Sequence, residues 1–515
     1  MATPLTIDDY LRRSLLASVY DVARETPLER LPVLSRKLGG DLYLKREDAQ
    51  PVFSFKLRGA YNKMARLSDA DLKKGVVTAS AGNHAQGVGL AARHLKTTAV
   101  IVMPQTTPSI KVESVAALGA EVVLFGDNYD QASEHAAKLA EERGLTFVHP
   151  YDDPDVIAGQ GTVGIELLRQ LQGPIDAIFV PVGGGGLVSG IGAVVKALRP
   201  DVKVVSVEPE DAASMAAALE AGHRVSLDHV GRFADGVAVR KVGEETFRVA
   251  QKVVDRCITV SNDEICAAIK DIFEDRRAVL EPAGALAFAG LKKYLAKRGP
   301  GVYAAIASGA NINFDSLRHV SERAEIGERR EVVLAVTIPE RPGSFREFCR
   351  CVGERVVTEF NYRYAGPQEA HVFVGLRTSQ GDAIVASLRE SGFEVLDLTD
   401  NENAKLHIRH MVGGRADVSD ERLIAFGFPE RSGALVQFLD AMQHPWNISL
   451  FHYRNHGSDI GRVLAGIQVP DAELGQFREF LDRLGYEHED VTNDPSCKMF
   501  LRSPAEGTPS NHPVS

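Results

Sequence analysis

Three short stretches bring together residue types that suit one kind of chemistry: Ser54-Phe55-Lys56-Leu57-Arg58-Gly59, Ser80-Ala81-Gly82-Asn83-His84-Ala85-Gln86-Gly87 and Gly183-Gly184-Gly185-Gly186. Lysine adds to a carbonyl only through its neutral amine, so a functional Lys56 needs surroundings that weaken its hold on a proton. The apolar neighbours Phe55 and Leu57 are placed to desolvate the ammonium. The residues Ser80, Ala81, Gly82, Asn83 and His84 form a polar loop whose backbone N–H groups suit a substrate carboxylate. The Asn83 amide offers a hydrogen bond to a cofactor's ring oxygen. Four consecutive glycines let backbone close on an oxyanion. An amine, a donor loop and an oxyanion cradle match an aldehyde cofactor bearing a phosphate, and pyridoxal phosphate is the candidate. Each piece alone is weak, because a lone lysine is usually solvated and Ser, Gly and Asn fill ordinary turns. The glycine run also lacks a Gly-x-Gly-x-x-Gly setting and the Gly-Lys-Ser/Thr ending of a P-loop.

The elements that must position these residues are legible as apolar runs. Val76 to Ala79 and Ala177 to Val182 read as buried strands, each leading into a small-residue helix, His84 to Leu95 and Leu187 to Leu198. Lys56 enters a helix expected over Arg58 to Leu67. Between about residues 40 and 320, further strand-like runs alternate with alanine-rich stretches: Ala99 to Val102, Val122 to Phe125, Val202 to Val207 and Val302 to Ala307. That alternation predicts an α/β domain with largely parallel sheets.

With Pro181 to Leu187 and Ser308-Gly309-Ala310-Asn311, these stretches resemble the fold-type II pyridoxal-phosphate enzymes, whose catalytic fold is tryptophan synthase β-like. They are most similar to the biosynthetic, isoleucine-regulated L-threonine dehydratase (threonine deaminase) family, and the likeness runs from about Val19 to Leu501. Lys45-Arg46-Glu47-Asp48, Met103-Pro104-Gln105, Ala158-Gly159-Gln160-Gly161-Thr162 and Glu281-Pro282-Ala283-Gly284-Ala285 share in it. The resemblance implies that Lys56 is the catalytic residue and holds the cofactor as an internal aldimine, with Asn83 at its 3-hydroxyl. Gly183, Gly184, Gly185 and Gly186, with the Leu187 amide, would bind the phosphate, and Ser308 the pyridine nitrogen. Ser80 to His84 would hold the substrate carboxylate. A serine, unlike an acid, does not keep the ring nitrogen protonated, which favours expulsion of a β-hydroxyl over a long-lived carbanion. The implied reaction turns L-threonine into 2-oxobutanoate and ammonia, the first committed step of isoleucine biosynthesis. A serine dehydratase or racemase on the same fold is the alternative, and L-serine is an expected side substrate because the two differ by one methyl.

One stretch departs from relatives that hold a divalent ion in Glu-Pro-x-x-Ala-x-Asp. Here Glu208-Pro209-Glu210-Asp211-Ala212-Ala213-Ser214 carries serine where the acid is expected, so no metal is predicted. The chain has 515 residues, a net charge of −10 and 44% hydrophobic content, which predicts several domains and no basic surface for nucleic acid. No apolar run is long enough to span a bilayer, and the N-terminus lacks a signal-peptide core. Five cysteines, an odd number, fit reduced thiols in the cytoplasm.

Past the charged stretch Ser321 to Arg330, read as a linker or linking helix, the chain repeats itself. Pro339-Glu340-Arg341-Pro342-Gly343 is echoed by Pro429-Glu430-Arg431-Ser432-Gly433, offset by 90; Phe360-Asn361-Tyr362-Arg363 by Phe451-His452-Tyr453-Arg454, offset by 91. Each copy predicts βαββαβ, the ferredoxin-like order. An oligomerisation module is the plain reading. The resemblance implies paired ACT-like regulatory domains, with isoleucine inhibiting, valine opposing it, and a homotetramer. Phe360, Asn361, Tyr362, Arg363, Phe451, His452, Tyr453 and Arg454 are the candidate effector residues. The predicted domains are 1–325 (catalytic), 326–410 and 411–503 (regulatory copies) and 504–515 (a disordered tail).

Overall fold

The computed structural model describes residues 4–327, 330–339, 344–352, 357–364, 369–410, 419–429, 437–438, 441–442, 444, 446, 448–454 and 460–501. The backbone divides into two units: one reaches Gly327, and the other is built from the elements that begin at Glu331. The tail expected to be disordered lies outside the described residues.

The first unit holds two sheets. The larger runs Leu28–Arg30, Asp41–Arg46, Val302–Ala307, Ala177–Pro181, Lys203–Pro209, Arg256–Val260, parallel except for the first strand. The smaller runs Glu121–Leu124, Ala99–Met103, Val76–Ala79, Thr146–Phe147, all parallel. Central parallel strands are covered on both faces, so they read as unbroken apolar runs. Ala99–Met103 and Ala177–Pro181 are buried at every position. Glu121–Leu124 is an edge strand and stays half-buried, with Leu124 exposed. Two apolar clusters sandwich the large sheet and two smaller ones the small sheet.

Helix bounds differ from expectation where a functional residue opens the helix. The helix predicted from Arg58 begins at Lys56 and ends at Met64, and the one predicted from His84 begins at Asn83. The stretch predicted as a linker or linking helix overlaps the end of a helix, Ser316–Gly327, that belongs to the first unit. Its sparse apolar residues share one face: Val320 and Ala324, one turn apart, are buried in the large-sheet core.

The second unit contains two four-stranded sheets of matching topology. In spatial order they are Val357–Tyr364, Glu369–Arg377, Glu331–Pro339, Glu394–Asp397 and Ile448–Arg454, Ile460–Gln468, Glu421–Pro429, Glu487–Asp490. All neighbours are antiparallel, and each copy has the second, third, first, fourth order of a ferredoxin-like sheet. Each sheet has its own helix-covered core. A third cluster, with Val333, Phe373, Leu423 and Leu464, joins the two copies. The described part of the chain has no helix long and apolar enough to cross a membrane.

Candidate active site

The strands deliver the predicted residues to one place because their C-terminal ends point the same way, the usual ligand side of an α/β sheet. Val76–Ala79 ends into Ser80, Ala81 and Gly82; Ala177–Pro181 into the glycine run; Val302–Ala307 into Ser308. Lys56 reaches this region from a lead-in clasped to the last of these. The Phe55 amide donates to the Ser308 carbonyl (3.2 Å), the Ala310 amide donates to the Phe53 carbonyl (2.9 Å), and Ser54 bridges Gly309. Phe53 takes a positive φ of 55°, a strained conformation for a bulky residue, and the clasp holds it there.

The Lys56 amine is half-buried and donates to the Pro150 carbonyl at 3.0 Å, with the Phe55 ring 5.4 Å away. Burial lowers its pKa to about 8, against the pull of the Glu281 charge. Gly87 lets two helices meet here, since a Cβ would lie 3.0 Å from the Leu57 nitrogen and 3.1 Å from the Lys56 carbonyl carbon.

Asn83 opens the 13-residue helix Asn83–Leu95. Its Nδ2 donates to Glu281 Oε1 at 2.6 Å, and its Oδ1 accepts from Asn311 Nδ2 at 2.6 Å. Burial and the Asp235 charge raise the Glu281 pKa to about 7. Within the Ser80 to His84 loop, the Gly82 amide donates to Ser80 Oγ at 3.3 Å, and a Cβ on Gly82 would meet nothing. His84 is buried with Nε2 facing the Val148 carbonyl at 3.0 Å, so that nitrogen carries the proton. Burial and the Lys56 charge lower its pKa to about 3. The ring is neutral, and what His84 offers an anion is its backbone amide.

Gly183 to Gly186 form the turn before the helix Gly186–Leu198, with Gly185 at φ 96°. A side chain on Gly184 would collide with the Tyr151 ring, and one on Gly183 with the Val237 backbone. Leu187 lies in the first helical turn. Ser308 Oγ donates to the Ala283 carbonyl at 3.1 Å. The parts fit pyridoxal phosphate: a weakened amine, a helix N-terminus opened by a side-chain-free turn, and a buried Ser54 hydroxyl without a partner among the described residues.

Four residues of the cleft were given no role from sequence. Pro150 and Tyr151 carry no motif at all. Glu281 and Asn311 lie in stretches that carried the resemblance, but their contacts cross 198 and 228 residues. Glu208, considered as a metal ligand, accepts from the Met215 and Ala216 amides at 2.7 and 2.8 Å. Among the described residues no group of three His, Cys, Asp or Glu side chains is arranged for a metal.

The effector candidates lie on outer strands of the two regulatory sheets, Phe360 to Arg363 on Val357–Tyr364 and Phe451 to Arg454 on Ile448–Arg454. The placement of their side chains lies outside what the structure describes.

Behind the Lys56 helix, a second polar cluster is sealed from solvent. Arg58 is bonded to both Glu47 (2.8 Å) and Glu166 (2.6 Å), and Lys45 to Glu166 (2.6 Å) and the Thr26 carbonyl (2.6 Å). All four charged side chains are wholly buried.

Comparison with known proteins places the chain. Residues 19–309 match the pyridoxal-phosphate dependent enzyme family, and residues 322–408 and 412–501 match the C-terminal regulatory domain of threonine dehydratase. The L-threonine dehydratase biosynthetic IlvA of Burkholderia multivorans is 56% identical, covering 96% of this chain and 99% of its own. The solved processed form of threonine deaminase isoform 2 from Solanum lycopersicum is 52% identical, with a TM-score of 0.61 over 62% of this chain and 93% of its own. The serine racemase of Dictyostelium discoideum is 32% identical, with a TM-score of 0.56 over 60% of this chain and 99% of its own.

Proposed function

Because the chain belongs to the pyridoxal-phosphate-dependent threonine dehydratases, with that family's duplicated regulatory region, we propose that it converts L-threonine to 2-oxobutanoate and ammonia using Lys56 as its catalytic amine. The observation that carries the assignment is the Lys56 amine itself, half-buried, held by one carbonyl and weakened to about 8. Pyridoxal phosphate, when bound, supplies the carbonyl carbon and the electron-accepting ring that make an amino acid's α-hydrogen acidic.

The rest is done by the chain. The amides of Gly183 to Gly186 and Leu187 hold the phosphate at the helix N-terminus. Asn83 donates its amide to the ring oxygen. Ser308, whose hydroxyl donates to the Ala283 carbonyl, would turn that proton to the ring nitrogen of a bound cofactor, and a hydroxyl would leave the nitrogen unprotonated. Electron density therefore leaves the substrate by expelling the β-hydroxyl. Backbone amides of Ser80 to His84 hold the substrate carboxylate, and the neutral His84 ring adds no charge there. Neutral Lys56 then takes the α-proton at Nζ. The β-hydroxyl leaves as water by taking up one proton, which balances the α-proton now on Lys56, and the enamine that remains tautomerises and is hydrolysed to the oxo acid and ammonia.

We place the catalytic part at 1–325, the two regulatory copies at 326–410 and 411–503, and a tail at 504–515. Isoleucine inhibits and valine relieves through the copies, the strands carrying Phe360 to Arg363 and Phe451 to Arg454 being the candidate binding edges. A coupling of about 1–3 kcal/mol is enough for such control. A cytoplasmic homotetramer with L-serine as side substrate completes the proposal. The test is turnover of L-threonine and L-serine with isoleucine and valine titrations. Faster L-serine turnover, or D-serine as product, would favour a racemase or serine dehydratase. Unchanged turnover in isoleucine would remove the regulatory part alone.

A further inference from the structure

Asn311 lies outside the residues assigned to the cofactor, yet it fixes the orientation of one of them. Its Nδ2 donates twice, to the Val52 carbonyl at 2.9 Å and to Asn83 Oδ1 at 2.6 Å. The two ends of a side-chain amide have the same shape, so an asparagine free to flip presents either a donor or an acceptor to the same spot. The Val52 carbonyl belongs to the backbone and only accepts. It therefore dictates that the NH2 of Asn311 faces it. That NH2 only donates, which dictates that Asn83 turns its oxygen toward Asn311. The NH2 of Asn83 is left for the other side, where it donates to Glu281 Oε1 at 2.6 Å. Glu281 is held as well: it is 3% exposed, and a Cβ on Gly309 would collide with its carboxyl.

We propose that Asn311 is a positioning residue which transmits the fixed polarity of the Val52 carbonyl to Asn83, holding the Asn83 NH2 rather than its oxygen toward the cofactor's ring oxygen. The proposal rests on the assignment of Asn83 to that oxygen. A flipped Asn83 would set two acceptors against each other and lose the hydrogen bond. The carbonyl of Val52 precedes Lys56 by four residues, so the relay ties donor orientation to the placement of the amine.

Asn311→Asp reverses the lock, because its carboxylate accepts from Asn83 and cannot donate to it. Asn311→Leu removes the lock without adding charge, and keeps the test open if a buried carboxylate prevents folding. The holoenzymes are compared by their visible absorbance, its pH titration, and the dissociation constant for pyridoxal phosphate. Both variants are expected to bind the cofactor more weakly, Asn311→Asp by about tenfold, the worth of one hydrogen bond. Both should move the pH midpoint of the visible band in the direction that Asn83→Ala moves it. In the double variants with Asn83→Ala, the Asn311 change should add nothing. Native spectra and affinities in both Asn311 variants, beside an altered Asn83→Ala, overturn the proposal alone. Full additivity with Asn83→Ala does the same. A native Asn83→Ala overturns the Asn83 assignment and the proposal with it.

Discussion

The helix Lys56–Met64 separates two ways of burying charge. On one side Lys45, Glu47, Arg58 and Glu166 are wholly enclosed, two cations against two anions, and each has several partners. Thr26 adds its hydroxyl to Glu47 at 2.5 Å, and Tyr20 adds its own to Glu166 at 2.9 Å. On the other side Lys56 donates to one carbonyl, and Ser54 Oγ and His84 Nδ1 have no partner among the described residues. Glu281, beside them, is pushed up to about 7. A buried ion pair is kept only when its hydrogen bonds are complete, because a lone buried ion costs several kcal/mol. The first cluster obeys that rule and the second does not. Between these two clusters, unspent hydrogen-bonding capacity marks the site more than buried charge does.

The sharpest break of this comparison is Lys56→Ala, which should lower L-threonine turnover by about 10⁴-fold or more and abolish the visible absorbance of the bound cofactor. Denaturation of the cofactor-free protein should meanwhile show no loss of stability, since a poorly solvated amine is removed. Arg58→Met inverts the pattern. It strands Glu47 and Glu166, whose partners it held, and should cost about 3–5 kcal/mol in a denaturant titration of the same protein.

Cofactor capture should follow the Lys56 proton. Its pKa is depressed to about 8, so the ammonium dominates below that pH and the reactive amine above it. The rate at which visible absorbance appears on adding pyridoxal phosphate should climb about tenfold per pH unit up to about pH 8 and then level off. A flat profile would place the proton elsewhere. The smallest effect is expected at Ser54, whose hydroxyl bonds to nothing among the described residues. Ser54→Ala should shift stability by no more than about 0.5 kcal/mol, whereas Thr26→Val should cost about 1.5–3 kcal/mol by removing one of the hydrogen bonds that a buried Glu47 accepts, both read from thermal melts.

The front of the helix was largely legible in sequence and the back was not. Lys56 opens a helix and was legible from its apolar neighbours and motif. Asn83, the glycine run and Ser308 follow strand ends, and a strand end is a local signal: an apolar run stops and small residues begin. Strands such as Val302–Ala307 were visible for the same reason, and the regulatory copies through their near-constant offset. The sealed cluster pairs Lys45 with Glu166 across 121 residues, and Arg58 with Glu47 across 11. No periodicity or turn chemistry marks such partners. Lys45 to Asp48 looked like one motif, yet it divides: Lys45 and Glu47 join the buried network, while Arg46 and Asp48 pair with each other. The helix Ser316–Gly327 was read from sequence as a charged linker or linking helix over Ser321 to Arg330, because few of its residues are apolar and those that pack inward, Val320 and Ala324, share one face. Asn311 was in view within its motif, but its task depends on a carbonyl 259 residues away.

The clasp between residues 52–55 and 308–311 also bears on how the chain is made. Closing a loop of that length is among the slowest contacts a chain forms, because its entropy is lost before anything is gained. A ribosome must release the backbone through Asn311 before the Lys56 lead-in has anything to pair with. Nascent chains and fragments ending earlier therefore carry the lysine but not its setting. The vitamin is captured only by a chain whose first unit has closed, which makes its yellow colour a report on completed assembly.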